Sequence, residues 1–272
     1  MNATNPLAAY EAFLLDVDGV LVRGGEPIQG APEAVAKLQQ LGTVHVLSNN
    51  STLSRQQTGD KLARLGFAFE PARIATSSYI AARYLLETFG PQRIWPLGED
   101  GIRIEAEAAG HTVVDKPSQA QWVVAGMRRD LVYADLVGAL RAHEAGARLL
   151  ATNADATFPS PKGFLPGAGV VVGALRGLGM IPQQVIGKPN PIAYDITFES
   201  LTSPRHRTLM IGDRLETDIL GASHAGVDSA LVLTGVSSAS DIRTLEETPA
   251  WISDSLHDLS EGRLRRPHTD SV

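Results

Sequence analysis

Phe13-Leu14-Leu15-Asp16-Val17-Asp18-Gly19-Val20-Leu21 decides how this chain is read. A short, uninterrupted apolar run is what a strand buried in a parallel sheet requires. This run leads straight into two carboxylates, Asp16 and Asp18, and then a glycine. A carboxylate buried at a strand end is costly unless something pairs with it, and two close together repel. The next basic residue along the chain is Arg23, so the nearest local partner is a metal ion. Gly19 lets the backbone turn sharply and approach a ligand, and ligands of open α/β sheets bind at the carboxyl ends of strands. Two readings stand on this nonapeptide alone. One is a Mg2+ site with a carboxylate free to act as nucleophile. The other is a polar turn with both Asp side chains in water.

The bulk composition narrows the classes. A chain of 272 residues suffices for two modest domains. A hydrophobic content of 43% and a charged content of 20% suit an ordinary soluble globular protein. The net charge of −6 argues against a general nucleic-acid binder, which needs a basic face. A small anionic substrate stays open, because a local metal and one Lys outweigh a distant net charge. There is no cysteine, which excludes disulfides, thiolate metal sites and Cys nucleophiles and fits a cytoplasmic location. Residues 1–6 lack a basic n-region and an apolar h-region, so no signal peptide is expected. No stretch approaches the roughly 18 apolar residues of a membrane-spanning helix.

Outward from the first strand, strands and helices alternate. Pro32 suits the first turn of a helix, in which Val35, Leu38 and Leu41 recur at helical spacing and Gly42 is the stop. Residues 43–47 form a second strand, ending in Ser48-Asn49-Asn50-Ser51. Ser54 and Gln57 have capping-box form for a helix that stops at Gly66. Residues 73–76 read as a third strand, with Ser77 and Ser78 able to cap a helix from Tyr79 to Phe89. From about residue 80 the alternation continues without chemistry: strands at 93–97 and 121–125, helical patterns at 102–109 and 133–145, and a strand at 147–151. That strand ends in the Asn153-x-Asp155 turn. Residues 158–169 read as a shaped surface loop, and 170–178 as a helix. Chemistry resumes at Lys188, which follows an apolar strand and stands between Gly187 and Pro189, with a helix opening around Pro191. Residues 206–213 are a strand ending in Asp213, and Asp218 suits the start of a helix. Residues 228–233 form the last strand of the sheet. From 262 on the chain reads as a frayed tail with its arginines solvated.

Four strand ends therefore carry special residues: Asp16 and Asp18, Ser48 and Asn49, Lys188, and Asp213 with Asp218. All carboxyl ends of a parallel sheet lie on one edge, so these groups should converge. A metal between Asp16 and Asp213 would have hard oxygen ligands, which suits Mg2+. A Lys and a Ser hydroxyl facing that metal suit a phosphate group. Nucleophile, metal, cation and acid are together what phosphoryl transfer needs.

These residues resemble the haloacid dehalogenase superfamily of phosphohydrolases. Its first motif is Asp-x-Asp-Gly after an apolar strand, here Asp16-Val17-Asp18-Gly19. Its second is a strand ending in Ser or Thr, here Ser48. Its third is a Lys, here Lys188, and its fourth is Gly-Asp-x-x-x-x-Asp, here Gly212-Asp213 to Asp218. All stand in order, and the resemblance covers the chain to about residue 260. Ser48-Asn49-Asn50-Ser51, the Asn153-x-Asp155 turn, Pro166-Gly167-Ala168-Gly169 and Gly187-Lys188-Pro189 are similar to the NagD-type branch (class IIA). That branch holds para-nitrophenyl and phosphoglycolate phosphatases. The fold implied is α/β: a Rossmann-like parallel-sheet core with an inserted α/β cap of C2 type. Residues 1–79 and 181–272 would form the core, and 80–180 the cap.

The resemblance implies a Mg2+-dependent phosphatase acting on a small phosphorylated metabolite through an aspartyl-phosphate. Asp16 would be the nucleophile and Asp18 the acid and base. Asp16, the Asp18 carbonyl and Asp213 would hold Mg2+. Ser48, Asn49 and Lys188 would hold the phosphoryl group, and Asp218 would orient Lys188 or touch the metal. Asn153 and Asp155 would set cap specificity, and a homodimer through the cap is a further expectation. A phosphotransferase or mutase of the same superfamily, or a non-catalytic sensor of a phosphate ligand, are the competing readings. Plainer roles stand beside these. Ser48 caps a turn, Lys188 precedes a Pro-bounded helix, Asp218 stabilises a helix start, and Asn153 and Asp155 form an Asx-turn. None of the seven histidines has a metal-site spacing. His45 and His224 read as structural, and Trp95 and Trp122 as core.

Overall fold

The computed structural model describes residues 5–160, 163–244 and 247–267. In chain order the first part comprises β1 (Ala12–Leu15), the hairpin β2 (Val22–Arg23) and β3 (Glu26–Pro27), α1 (Ala31–Leu41), β4 (Thr43–Ser48), α2 (Arg55–Arg64), β5 (Ile74–Thr76) and α3 (Ser77–Phe89). The middle comprises β6 (Arg93–Leu97), α4 (Asp100–Ala108), β7 (Thr112–Val113), β8 (Trp122–Ala125), α5 (Tyr133–Glu144) and β9 (Arg148–Ala151). It closes with the hairpin β10 (Thr157–Ser160) and β11 (Gly163–Pro166), α6 (Ala168–Gly177) and β12 (Gln184–Val185). The last part comprises α7 (Pro191–Phe198), β13 (Thr208–Gly212), α8 (Leu220–His224), β14 (Asp228–Val232), β15 (Trp251–Ser253) and α9 (Leu256–Ser260).

Two parallel sheets result. The first has the order β15-β14-β13-β1-β4-β5 and the second β12-β9-β8-β6-β7. β1 is central because both its faces are covered. Phe13 and Leu15 pack with Leu38 of α1 and with Leu256 and Leu259 of α9. Leu14 faces the other way, into a cluster with Leu85 of α3 and Tyr194 of α7 that continues to Trp122 and Leu150 of the second sheet. Phe13, Leu14 and Leu15 are fully buried, each contributing about 1.5–3 kcal/mol of hydrophobic stabilisation. The far face of the second sheet is covered by α5 and α6 through Ala139, Ala142, Val171 and Leu175. The architecture is thus α/β, with a parallel-sheet core and an inserted α/β cap. No helix of the described residues is long and apolar enough to cross a membrane.

Several local expectations hold in detail. Ser54 and Gln57 make both bonds of the capping box: Gln57 N–H donates to Ser54 Oγ at 3.2 Å, and Ser54 N–H donates to Gln57 Oε1 at 2.9 Å. His45 and Trp122 are buried in their strands. Other expectations need correction. Leu41 is 41% exposed, because Ala31, Ala34, Val35 and Leu38 already fill the buried face of α1. The helix after the third strand is capped by Thr76, whose Oγ1 accepts from Tyr79 N–H at 3.3 Å, so it opens at Ser77. Residues 158–169 are not simply a loop: β10 and β11 pair antiparallel, Phe158 opposite Leu165. Prolines are tolerated there because a two-stranded ribbon has only edges.

The arginines after residue 262 are exposed, as expected of solvated side chains, and each also has a neighbour. Arg263 pairs with Asp258 and Arg265 with Asp254, Arg266 lies 3.8 Å over the Trp251 ring, and Arg265 bridges back to Ile252. Their side chains find partners on β15, on α9 and on Asp254 between them, which the linear sequence does not show. Residues 268–272 of the expected tail lie outside the described residues.

Candidate active site

The chain leaves β1 for β4 on one side and returns in β13 on the other, so a crevice opens at the carboxyl end of β1. Asp16 N–H donates to Ile211 O at 3.0 Å, carrying the ladder one residue past β1. Gly19, at φ 90°, turns the chain away into the β2–β3 hairpin. A Cβ on Gly19 or on Gly235 would collide with the Asp213 carboxylate. Those two glycines leave the space that Asp213 occupies, and Val236 N–H donates to Asp213 Oδ2 at 2.8 Å.

Lys188 is the hub. Its Nζ donates to Asp16 Oδ1 at 2.7 Å and to Leu47 O at 2.8 Å, and it pairs with Asp218 Oδ1 at 2.7 Å. Two ammonium protons are thereby placed on Asp16 and Leu47 O and the ion pair with Asp218 flanks the third, so what Lys188 chiefly offers an anion in this arrangement is its charge. Asp218 lies on a π-helical turn over Leu215–Ile219, and its Oδ2 accepts from Asp213 N–H and Arg214 N–H, each at 3.1 Å. Asp218 is buried and so acts as a bracket that holds Lys188 and the Asp213 backbone together. Tyr194 O–H closes the underside by donating to Asp218 O at 3.1 Å.

Burial pushes the Asp16 carboxyl up to about 7. Lys188 opposes the rise, and Asp218 and Asp18 add to it. Burial likewise raises Asp18, against Lys61, Lys188 and Arg214. Asp213 is raised well above the usual carboxylate range by burial and by Asp218 and Asp16. Burial works against the charge of Lys188, yet Asp16 and Asp218 hold its pKa above that of a free lysine. Carboxylate oxygens of Asp16, Asp213 and Asp218 lie within 4.8 Å of one another. So many close carboxylates against one ammonium are short of positive charge. An all-oxygen donor set of this kind fits a hard divalent cation.

The second sheet also points its carboxyl ends at this crevice. Met127 and Arg129 follow β8, and Asn153 and Asp155 follow β9. The segment after β4 meets them. Asn153 Nδ2 donates to Asn49 O at 2.7 Å, and Asn49 Nδ2 donates to Asp155 Oδ2 at 3.1 Å and to Lys188 O at 3.0 Å. Met127 N–H donates to Ser51 Oγ at 3.1 Å, and Gly101 N–H to Thr52 O at 3.1 Å. At the start of α2, Arg55 N–H donates to the buried Glu105 carboxylate of α4 at 2.6 Å. The Asn49 amide thus spans the two sheets. Ser48 Oγ accepts from Asn50 N–H at 3.2 Å. Burial raises the Asp155 carboxyl, with the Asn49 hydrogen bond opposing.

A cavity of about 500 Å³ gathers these groups. Asp16, Asp18, Ser48, Asn49, Asn153, Asp155, Lys188 and Asp218 all line it, while Asp213 stands behind Gly19. Lys61, Arg129, Phe158 and Arg214 are among the lining residues that the sequence does not mark as part of a site. Arg214 sits inside the Gly-Asp-x-x-x-x-Asp motif. Arg129 follows a strand end of the second sheet, so the rule that found Asp16 could have found it too. Phe158 falls in the stretch that reads as a surface loop. Lys61 gave no signal, because a lysine in the last turn of a helix is ordinary.

A parallel α/β core, an α/β cap and a carboxylate–lysine cavity between them define the capped phosphoric monoester hydrolases. The profile described as haloacid dehalogenase-like hydrolase matches residues 13–112, and a related HAD-hydrolase-like profile matches residues 185–259. Sugar-phosphatase AraL of Bacillus subtilis is 33% identical over 251 residues, 92% of each chain. The crystal structure of a 4-nitrophenylphosphatase from Thermotoga maritima superposes with a TM-score of 0.87 at 32% identity, covering 94% of this chain and 98% of that one. A glycerol phosphate phosphatase from Mycobacterium tuberculosis, in complex with magnesium, gives a TM-score of 0.86 at 33% identity over 94% and 79% of the two chains. The chain belongs to the haloacid dehalogenase-like hydrolases, in their NagD-like, capped branch.

Proposed function

We propose that this phosphatase hydrolyses the monophosphate of a small hydroxylated metabolite through an aspartyl-phosphate on Asp16, with residues 80–180 acting as its cap. The observation that carries the reading is the state of Asp16. Oδ1 is held by Lys188, and Oδ2 has no hydrogen bond among the described residues and belongs to a cavity-lining side chain. Oδ2 attacks phosphorus as the ester P–O bond breaks. Asp18, in the same cavity, gives its proton to the leaving oxygen. Asp18 then takes a proton from water as that water attacks the aspartyl-phosphate, releasing inorganic phosphate and restoring Asp16. Ser48 and the charge of Lys188 hold the phosphoryl oxygens, while Asp218 keeps Lys188 in place. Asp16, Asp213 and the backbone carbonyl of Asp18 would hold Mg2+, which when bound supplies charge neutralisation at the phosphoryl oxygens. The magnesium and calcium complexes of the mycobacterial relative support a hard divalent cation there. The names of that relative and of AraL support a polyol or sugar leaving group.

The test is phosphate release from para-nitrophenyl phosphate and a panel of sugar and polyol phosphates, in Mg2+ and in EDTA, for wild type and Asp16→Asn. Release that needs Mg2+ and vanishes in Asp16→Asn is expected. Turnover surviving Asp16→Asn, with deamidation back to Asp excluded, would sink the mechanism.

A further inference from the structure

Four cations line the cavity, and three of them have their charge or their protons engaged. Lys188 is used by Asp16, Asp218 and Leu47 O. Arg129 is paired through both Nε and Nη2 with Glu99. Arg214 donates through Nη2 to Thr157 O at 3.3 Å. Lys61 differs. It is half-buried and lines the cavity, and among the described residues its ammonium has neither a hydrogen bond nor an ion pair. Its place is set by α2, which is fixed at one end by the Ser54–Gln57 box and along its buried face by Thr58, Gly59 and Leu62. Lys61 and Asp18 line the same cavity, and Lys61 takes no part in the Asp16–Lys188–Asp218 ion cluster at its buried end.

A half-buried ammonium with idle protons is a donor waiting for an acceptor, since a polar group left unmatched on desolvation costs free energy. The phosphoryl group, held at the Asp16 and Lys188 end, does not supply that acceptor. The rest of the substrate does. We propose that Lys61 is a specificity-determining residue that donates to an oxygen carried by the leaving group beyond the ester oxygen. The enzyme would then select phosphate monoesters of hydroxylated or carboxylated small molecules over those of plain alkyl alcohols. The inference rests on the phosphatase reading above and adds to it which atom of the leaving group is read, and by which residue.

The experiment measures kcat/KM of wild type, Lys61→Met and Lys61→Arg on glycerol 3-phosphate, phosphoglycolate, n-propyl phosphate and para-nitrophenyl phosphate. Wild type should prefer an oxygenated substrate to n-propyl phosphate by roughly 10- to 100-fold, the span of one hydrogen bond from a charged donor. Lys61→Met should collapse that ratio, mainly through KM, and Lys61→Arg should restore part of it. Collapse confined to phosphoglycolate identifies a carboxylate as the acceptor, and collapse confined to glycerol 3-phosphate identifies a hydroxyl. A ratio unchanged in Lys61→Met, or an equal fall on all four substrates, would overturn the assignment while leaving the phosphatase reading intact. No release by wild type from any of the four, para-nitrophenyl phosphate included, would overturn both.

Discussion

Asp218→Asn tests whether the site is held together by the Lys188 bracket. The carboxamide is nearly isosteric and keeps an oxygen for the Asp213 and Arg214 N–H groups, now 3.1 Å away. Its other end becomes an N–H2 aimed at the Lys188 ammonium, where a 2.7 Å ion pair stood. Removing one partner of a buried pair costs about 3–5 kcal/mol. Lys188 retains Asp16 and Leu47 O, and loss of the Asp218 charge eases the repulsion on Asp16 and Asp213, which places the expected loss below that range, at about 2 kcal/mol. For a chain of this size that is a fall in Tm of roughly 4–8 °C. The assay is thermal unfolding by circular dichroism in EDTA, so that metal binding does not mask the difference. Lys188→Met should be worse, because it leaves Asp16 and Asp218 facing each other. The double variant should lose less than the sum of the two. An Asp218→Asn protein melting within 2 °C of wild type (about 1 kcal/mol or less) would refute the bracket.

Two further outcomes follow from the packing. Gly235→Ala puts a methyl group into the Asp213 carboxylate, so the Mg2+ concentration for half-maximal para-nitrophenyl phosphate hydrolysis should rise at least about tenfold; an unchanged titration would show that Asp213 is not held by that wall. His45 is buried in β4, and burial, with Arg73 adding, lowers its pKa to about 4. The folded state therefore binds fewer protons than the unfolded state between the ordinary value near 6.5 and 4. His45 contributes stability that is present above pH 6.5 and lost as pH falls through 4, up to about 3 kcal/mol. The urea midpoint should drop over that window in wild type and drop less in His45→Gln, and equal slopes would refute the assignment.

Much of the architecture is legible along the chain because parallel sheets obey local rules. The apolar run Phe13–Leu15 reads as a strand covered on both faces, and it is one. Once strands are placed, the convergence of Asp16, Ser48 and Asp213 follows from a topology in which the carboxyl ends of β1, β4 and β13 share one edge; Lys188 instead follows β12 of the second sheet and meets them only because that sheet turns its carboxyl ends to the same crevice. The Ser54–Gln57 box is legible for the same reason: its partners are three residues apart. What the sequence could not determine involves partners remote in sequence. Nothing in the linear order shows that Lys188 is held between Asp16, Asp218 and Leu47 O, that the Asn49 amide reaches Asp155 across 106 positions, or that the Arg266 side chain covers Trp251. Nor does it show that Lys61, an ordinary residue for a helix end, is left with an idle ammonium at the cavity wall. Strand ends, caps and turn residues are set by short-range backbone geometry, so the sequence by itself determines them. Which protons are satisfied, which charges are compensated and which side chains meet depend on the three-dimensional packing of distant segments, and only the tertiary structure decides those.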